Sequence, residues 1–222
     1  MSAGLWERLR ALVSRPSEVG GEAAGEPPRV RLIVGLGNPG ADYAQNRHNV
    51  GFWTVNRLAR RHDIEFTERG RLAFSGAGRI GPHEVTLAKP RTFVNRSGGA
   101  VVHLVRRFKL DSSQELLVVC DDLDLPLGKL RVRARGGYGG QKGLQSVIEA
   151  TRTEDFPRVR IGIGRPVVDG EPSYDPEAVA SYVLSDPPPE ERRLLDEAVE
   201  RAQEAIECIL EEGVEVAMAR YN

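Results

Sequence analysis

The 222-residue sequence predicts a single-domain α/β fold, and two patterns carry that prediction. Short apolar runs rich in β-branched residues stand at Val30–Val34, Glu115–Cys120 and Pro157–Gly164, each with the length and composition of a buried strand rather than a helix. Between and after them, apolar positions recur at helical spacing, as in Val50, Trp53, Leu58 and Ala59. The length suffices for one sizeable core. Charged residues at 28% and hydrophobic residues at 40% are ordinary for a soluble globular protein, and neither a membrane-spanning run nor a signal peptide is visible. Cys120 and Cys208 each sit within an apolar pattern, which points to reduced core thiols and a cytoplasmic setting.

Residues 1–29 read as an appended arm, because Ser17 to Pro28 is mostly Gly, Glu, Ala and Pro with little to bury; the arm is expected to be disordered and the folded domain to be 30–222. The first strand ends in Gly35 and Gly37, Pro39 fixes the next turn, and Gly40 opens a polar loop holding Tyr43, Asn46, His48 and Asn49. A helix running to about His62 follows, capped by Asn49 or a neighbour. His48 is thereby set beside the end of a buried strand, where ligands bind in open α/β sheets. Gly35 to Gly40 also spells the G-x-G-x-x-G dinucleotide fingerprint. The context opposes that reading, since the helix begins about nine residues too late to meet a pyrophosphate.

Leu72–Ile80 and Glu84–Ala88 read as a hairpin turning at Gly81-Pro82, and Asn95 or Ser97 opens a helix through Phe108. The strand Glu115–Cys120 ends in Asp121, Asp122 and Asp124, acids that face the same crevice as the first loop or bind Mg²⁺. Lys129, Arg131, Arg133 and Arg135 alternate along a strand that places them on one face. The glycine-rich stretch Gly136–Gly143 offers backbone N–H groups to an anion ahead of a helix over Leu144–Thr151. Helices are expected over Glu177–Leu184 and Pro187–Glu212. Basic residues crowd 129–165 and acidic ones 190–212, so a net charge of −1 conceals one face suited to nucleic acid and one solvated face.

A histidine after one strand and an aspartate at the end of another suggest a dyad, with Asp121 fixing the tautomer of His48 and raising its pKa. No nucleophile elbow is present and neither cysteine lies in a catalytic setting, so direct attack by activated water is the simplest chemistry. Asn38 and Asn95 can donate amide hydrogen bonds to a carbonyl oxygen on which charge develops.

GLGNPGADYAQNRHNVG, KPRTFVNRSGGAV, DDLDLPLGKLRVRARGGYGG and FPRVRIGIGRP resemble, in that order, the motifs of bacterial-type peptidyl-tRNA hydrolases, over a span from about Val30 to near the C-terminus. The resemblance implies a three-layer sandwich with a mixed, mostly parallel sheet flanked by helices. It also implies hydrolysis of the ester joining a peptide to the 3′ end of tRNA, with no metal or cofactor. By position His48 matches the catalytic base and Asp121 its supporting acid, while Asn38 matches the residue that distinguishes peptidyl from free aminoacyl groups. Tyr43, Phe93 and Asn95 match contacts to the peptide or the 3′ end, and Arg131 and Arg133 match basic residues near the acceptor stem. The implied partner is peptidyl-tRNA, engaged through its acceptor end and nascent peptide, with a monomer expected and neither a membrane nor an obligatory protein partner.

The chain departs from the resembled pattern in the glycine loop. Where the motif reads G-G-H-N-G-L with its Asn in the active site, this chain has Gly139-Gly140-Gln141-Lys142-Gly143-Leu144. Val94 replaces a Met and Asn46 a Thr, which exchange like for like. Lys142 bears directly on turnover and keeps open a second class of function, a non-catalytic RNA-binding relative resembling a chloroplast factor for group II intron splicing.

Overall fold

The structure is a computed structural model and describes residues 30–222; the expected arm at 1–29 lies outside the described residues. The central strand β1 (Leu32–Gly35) pairs in parallel with both β4 (His83–Pro90) and β5 (Leu116–Asp122). A third parallel ladder joins β5 to β7 (Arg158–Gly162). Antiparallel strands border this parallel centre. On one side lie β2 (Glu68–Arg69) and β3 (Ala73–Ile80), and on the other β6 (Leu130–Arg133), giving the seven-stranded order β2-β3-β4-β1-β5-β7-β6.

The sheet is buried on both faces, so its central strands are apolar without a break. Ile33, Leu117 and Val119 enter a core shared with helices α1 (Val50–Arg61), α5 (Pro189–Glu212) and α6 (Val214–Tyr221). Their neighbours Leu32, Val34, Leu116, Val118 and Cys120 enter the opposite core with α2 (Ser97–Phe108) and α3 (Lys142–Thr151). This two-residue alternation between cores makes the three layers. A small hairpin, β8 (Val167–Val168) with β9 (Glu171–Pro172), and the short helix α4 (Pro176–Val183) complete the chain.

The first helix is pressed onto the sheet by absent side chains. A Cβ on Gly35 would lie 2.3 Å from the Gly51 carbonyl oxygen, and one on Gly51 would lie 2.5 Å from those of Leu36 and Val119. The start of α1 therefore rides directly over the ends of β1 and β5, which brings the loop before it to the end of β5. The strand bearing Arg131 and Arg133 stops at Arg133, so Arg135 lies beyond it. Helix α3 starts at Lys142, two residues earlier than the apolar pattern suggests. Neither the β8–β9 hairpin nor α6 was expected; α6 follows a turn at Gly213, whose φ of 92° suits glycine. Among the described residues no helix is long and apolar enough to cross a membrane.

Candidate active site

The loop carrying His48 is short, tightly wound and tethered at both ends. It runs through 3-10 turns at Ala41–Tyr43 and Arg47–Asn49 and passes directly into α1. Asn49 stands at the cap position but makes no side-chain cap. Its amide instead turns back to the strand end, accepting from Asn38 N–H at 2.8 Å and donating to the Asn38 carbonyl at 3.0 Å. On the other side, the buried guanidinium of Arg47 donates to Ser185 Oγ at 2.6 Å and to Glu191 at 2.7 Å and lies 4.3 Å from the Tyr182 ring centre. Asn46 Nδ2 adds a bond to Asp186 at 2.8 Å. The linker between α4 and α5 and the first turn of α5 thus clamp the two residues that precede the site histidine, while Asn38 holds the one that follows it.

Between these tethers His48 Nδ1 meets Asp121 Oδ1 at 2.8 Å, the histidine side chain 13% exposed and the aspartate 2%. The nitrogen approaches the oxygen off the line of its ring N–H, so the contact is close but bent. Such contacts commonly straighten when substrate arrives. Burial pulls the imidazole pKa down, and the charge and hydrogen bond of Asp121 more than offset it, so the net shift is upward. With Nδ1 turned to the carboxylate, Nε2 is the nitrogen left for a reacting group. Asp121 Oδ1 also accepts from Gln141 Nε2 at 2.8 Å.

His48 and Asp121 lie in the wall of a cavity of about 720 Å³, a volume within the usual range for ligand sites. Asn38, Phe93, Asn95 and Lys142 join them there, so most of the sequence-predicted site residues converge. Asn38 is buried, and its Oδ1 accepts from Val94 N–H at 2.8 Å, which fixes the amide; among the described residues its Nδ2 has no partner and remains a donor. Asn95 and Phe93 are exposed at the rim. Val179, Ala180, Val183 and Leu184 form an apolar wall.

Tyr43 does not line the cavity. Its ring stands edge-on to Phe93, with centroids 6.0 Å apart and planes at 88°, and so braces a residue that does. Arg131 and Arg133 also lie outside the cavity, on the β6 edge strand, paired in register with Arg160 and Arg158. Arg131 is exposed and Arg133 half-buried, so the basic residues form a surface beside the cavity rather than part of its wall.

The acidic cluster divides among separate partners. Asp121 faces His48 and Gln141, Asp122 meets Arg160 at 3.0 Å, and Asp124 meets Arg165 at 2.6 Å. The three carboxylates thus face different partners, and among the described residues no group of three or more His, Cys, Asp or Glu side chains could hold a metal ion. Cys120, one residue before Asp121, is fully buried, and burial pushes its thiol up to about 12. It is no nucleophile at neutral pH.

Two residues of this site are silent in the sequence. Arg47 carries no signal, because an arginine beside a polar loop reads as solvated. Gln141 stands in the glycine-rich stretch, but glutamine is not a favoured helix cap and its contact with Asp121 spans twenty residues.

Comparison with known proteins identifies the family and the fold. The family model for peptidyl-tRNA hydrolase matches residues 32–222. A peptidyl-tRNA hydrolase of Syntrophomonas wolfei is 47% identical over 193 residues, 87% of this chain and 100% of the relative. One from Chloroflexus aurantiacus is 46% identical over 191 residues, covering 86% of this chain and 98% of the relative. The crystal structure of peptidyl-tRNA hydrolase from Acinetobacter baumannii superposes with a TM-score of 0.81 at 36% identity, covering 89% of this chain and 96% of that one. With its mixed sheet, strand-end dyad and match from the first strand to the last residue, the chain belongs to the peptidyl-tRNA hydrolase family.

Proposed function

We propose that this chain hydrolyses the ester between the C-terminal residue of a peptide and the 3′-terminal ribose of tRNA, by water activated at His48. The observation that carries the reading is the His48–Asp121 contact of 2.8 Å in the wall of a cavity large enough for an acceptor end. His48 Nε2 takes a proton from water as the water oxygen attacks the ester carbonyl carbon. Asp121 holds the Nδ1–H tautomer and stabilises the imidazolium that forms. Asn38 Nδ2, aimed by its bond to Val94, and the rim amide of Asn95 donate to the carbonyl oxygen as charge develops there. The imidazolium then returns its proton to the departing ribose oxygen, giving a free peptide acid and free tRNA. Every group in this scheme is a side chain, so it requires no metal or cofactor.

The cavity also suggests how the substrate lies. The apolar wall from Val179 to Leu184 suits peptide side chains, and the basic β6 edge suits acceptor-stem phosphates. The reading includes a monomer acting in the cytoplasm without an obligatory protein partner. Lys142, in the cavity wall where the resembled motif has an amide, is the observation on which a weakly active or non-catalytic RNA-binding alternative rests. Incubation with N-blocked aminoacyl-tRNA separates the two. Release of free tRNA by the wild type and not by His48→Ala supports the hydrolase; binding without release establishes the alternative.

A further inference from the structure

Gln141 is 7% exposed, and its two amide ends are held by different partners. Oε1 accepts from Leu144 N–H at 2.6 Å, capping α3. A backbone N–H can only donate, so the end facing it must be the oxygen, and the end facing Asp121 must be the NH₂ group. The helix terminus therefore decides what Asp121 meets: a group that donates at every pH and never titrates.

A cap alone does not call for this residue. Ser, Thr, Asp and Asn cap helices better, and each is shorter. Glutamine has the added reach that lets one side chain touch both Leu144 N–H and Asp121. The local backbone preserves the space it needs, since a Cβ on Gly143 would come 3.0 Å from Gln141 Oε1 and 2.6 Å from Val94 Cγ2. The Gln141 main chain is fixed as well, its N–H donating to Tyr138 O at 3.1 Å and its carbonyl accepting from Gln145 N–H at 3.0 Å.

We propose that Gln141 is a positioning residue for the dyad: its amide clamps the Asp121 carboxylate in the orientation that faces His48 and couples that orientation to the N-terminus of α3. Asp121 Oδ1 accepts from Gln141 Nε2–H at 2.8 Å and lies 2.8 Å from His48 Nδ1, so one oxygen is shared between clamp and base. The amide also draws off part of the charge that would otherwise raise the basicity of His48, keeping the base closer to working pH. The inference rests on His48 and Asp121 forming the working pair, but its geometry does not depend on the substrate.

The test separates clamp from cap. Gln141→Glu keeps the length and the capping oxygen and replaces the donor with an acceptor. Gln141→Asn keeps a better cap and is too short to reach Asp121. Both are followed by melting temperature, by the pH dependence of tRNA release, and by the NMR titration of His48, a readout independent of turnover. The other charged groups lining the cavity, Asp124, Arg96, Lys142 and Arg165, are unchanged in both variants.

For Gln141→Glu we expect a lower melting temperature, because a second buried carboxylate faces Asp121, with the His48 titration and the acid limb of kcat/KM both displaced upward by about one pH unit, a roughly tenfold loss at pH 6. For Gln141→Asn we expect retained stability and a roughly tenfold lower kcat at unchanged KM. Folded variants of both kinds with wild-type His48 titration and wild-type kcat would overturn the proposal and leave Gln141 a helix cap. If Gln141→Glu fails to fold, the Gln141→Asn result decides alone. A His48 shift in a protein whose wild type releases no tRNA would keep the clamp and remove the hydrolase reading instead.

Discussion

Asn49 grips the main chain of Asn38 through both atoms of its amide, accepting from the N–H at 2.8 Å and donating to the C=O at 3.0 Å. The pair closes the glycine turn against the start of α1 and holds the Asn38 side chain on Val94. Replacing Asn49 by Ala leaves two buried backbone groups unpaired, at about 1–3 kcal/mol each. We expect Asn49→Ala to lower stability by about 2 kcal/mol or more and to reduce kcat, because Asn38 loses its aim. Chemical denaturation alongside a turnover assay checks both, and wild-type kcat in the folded variant would show that Asn38 is held by its own bond to Val94.

The pH profile follows from the raised His48 pKa. The proposed mechanism needs the unprotonated base, so activity should fall as pH drops through a value above the ordinary histidine value of 6.5. Asp121→Asn removes the charge and leaves burial dominant, moving the acid limb below that value while kcat falls by roughly 10²–10⁴. Stability has the opposite sense. A pKa raised on folding stabilises fully below the unfolded value and is lost as pH rises through the folded one. The stability deficit of His48→Asn should therefore be larger near pH 5.5 than near pH 8, by about 1.4 kcal/mol for every tenfold by which folding tightens proton binding at His48. Denaturant titrations at the two pH values check the sign, and an equal deficit at both would show that folding leaves the imidazole's proton affinity unchanged.

Lys142 is exposed at the first position of α3, a cation where the helix dipole disfavours one. Lys142→Asn should raise stability by roughly 0.3–1 kcal/mol on that account. It should also raise kcat by up to about tenfold if the amide recovers 1.4 kcal/mol in the transition state, with tRNA affinity equal or lower. A variant no faster than wild type would show that another donor already serves the site.

Arg133 stands on the basic β6 edge, outside the cavity. Arg133→Ala should weaken tRNA binding and reduce the slope of log K against log salt by about one. Cleavage of a minimal ester substrate should stay near wild type. An unchanged slope would mean that Arg133 meets solvent rather than phosphate.

Arg47 is buried and ties the His48 loop to Ser185 and to Glu191, whose side chain is one-third exposed. Because Glu191 can rehydrate, the loss in Arg47→Ala should be about 2–3 kcal/mol rather than the larger cost of stranding a fully buried charge. Thermal melts check the figure. Normal stability with normal kcat would show that the tether is dispensable.

What can be read in advance follows from where the physics is local. The runs at Val30–Val34 and Glu115–Cys120 announce a sheet buried on both faces, because β-branched residues with no polar alternation have no solvent side to offer. His48 and Asp121 are legible as partners because both follow such runs, and strand ends of a parallel sheet share one crevice. Asn49 reads as a cap, since sequence shows a residue's position on a helix but not which way its side chain turns. Arg47 and Gln141 are silent for the same reason: their partners lie far along the chain, at Glu191 and Asp121. The short β8–β9 hairpin and the break at Gly213 have too few residues to establish a period.

The full burial of Cys120 has a consequence for how the site ages. With its thiol pushed up to about 12 and no exposed surface, it offers neither a thiolate nor access to peroxide or alkylating reagents in the folded state. The chemistry proposed beside it uses an imidazole, a carboxylate and amides, none of which depends on a reducing environment. Oxidants that inactivate enzymes through an active-site thiol should therefore find none to attack beside this dyad until the fold itself opens.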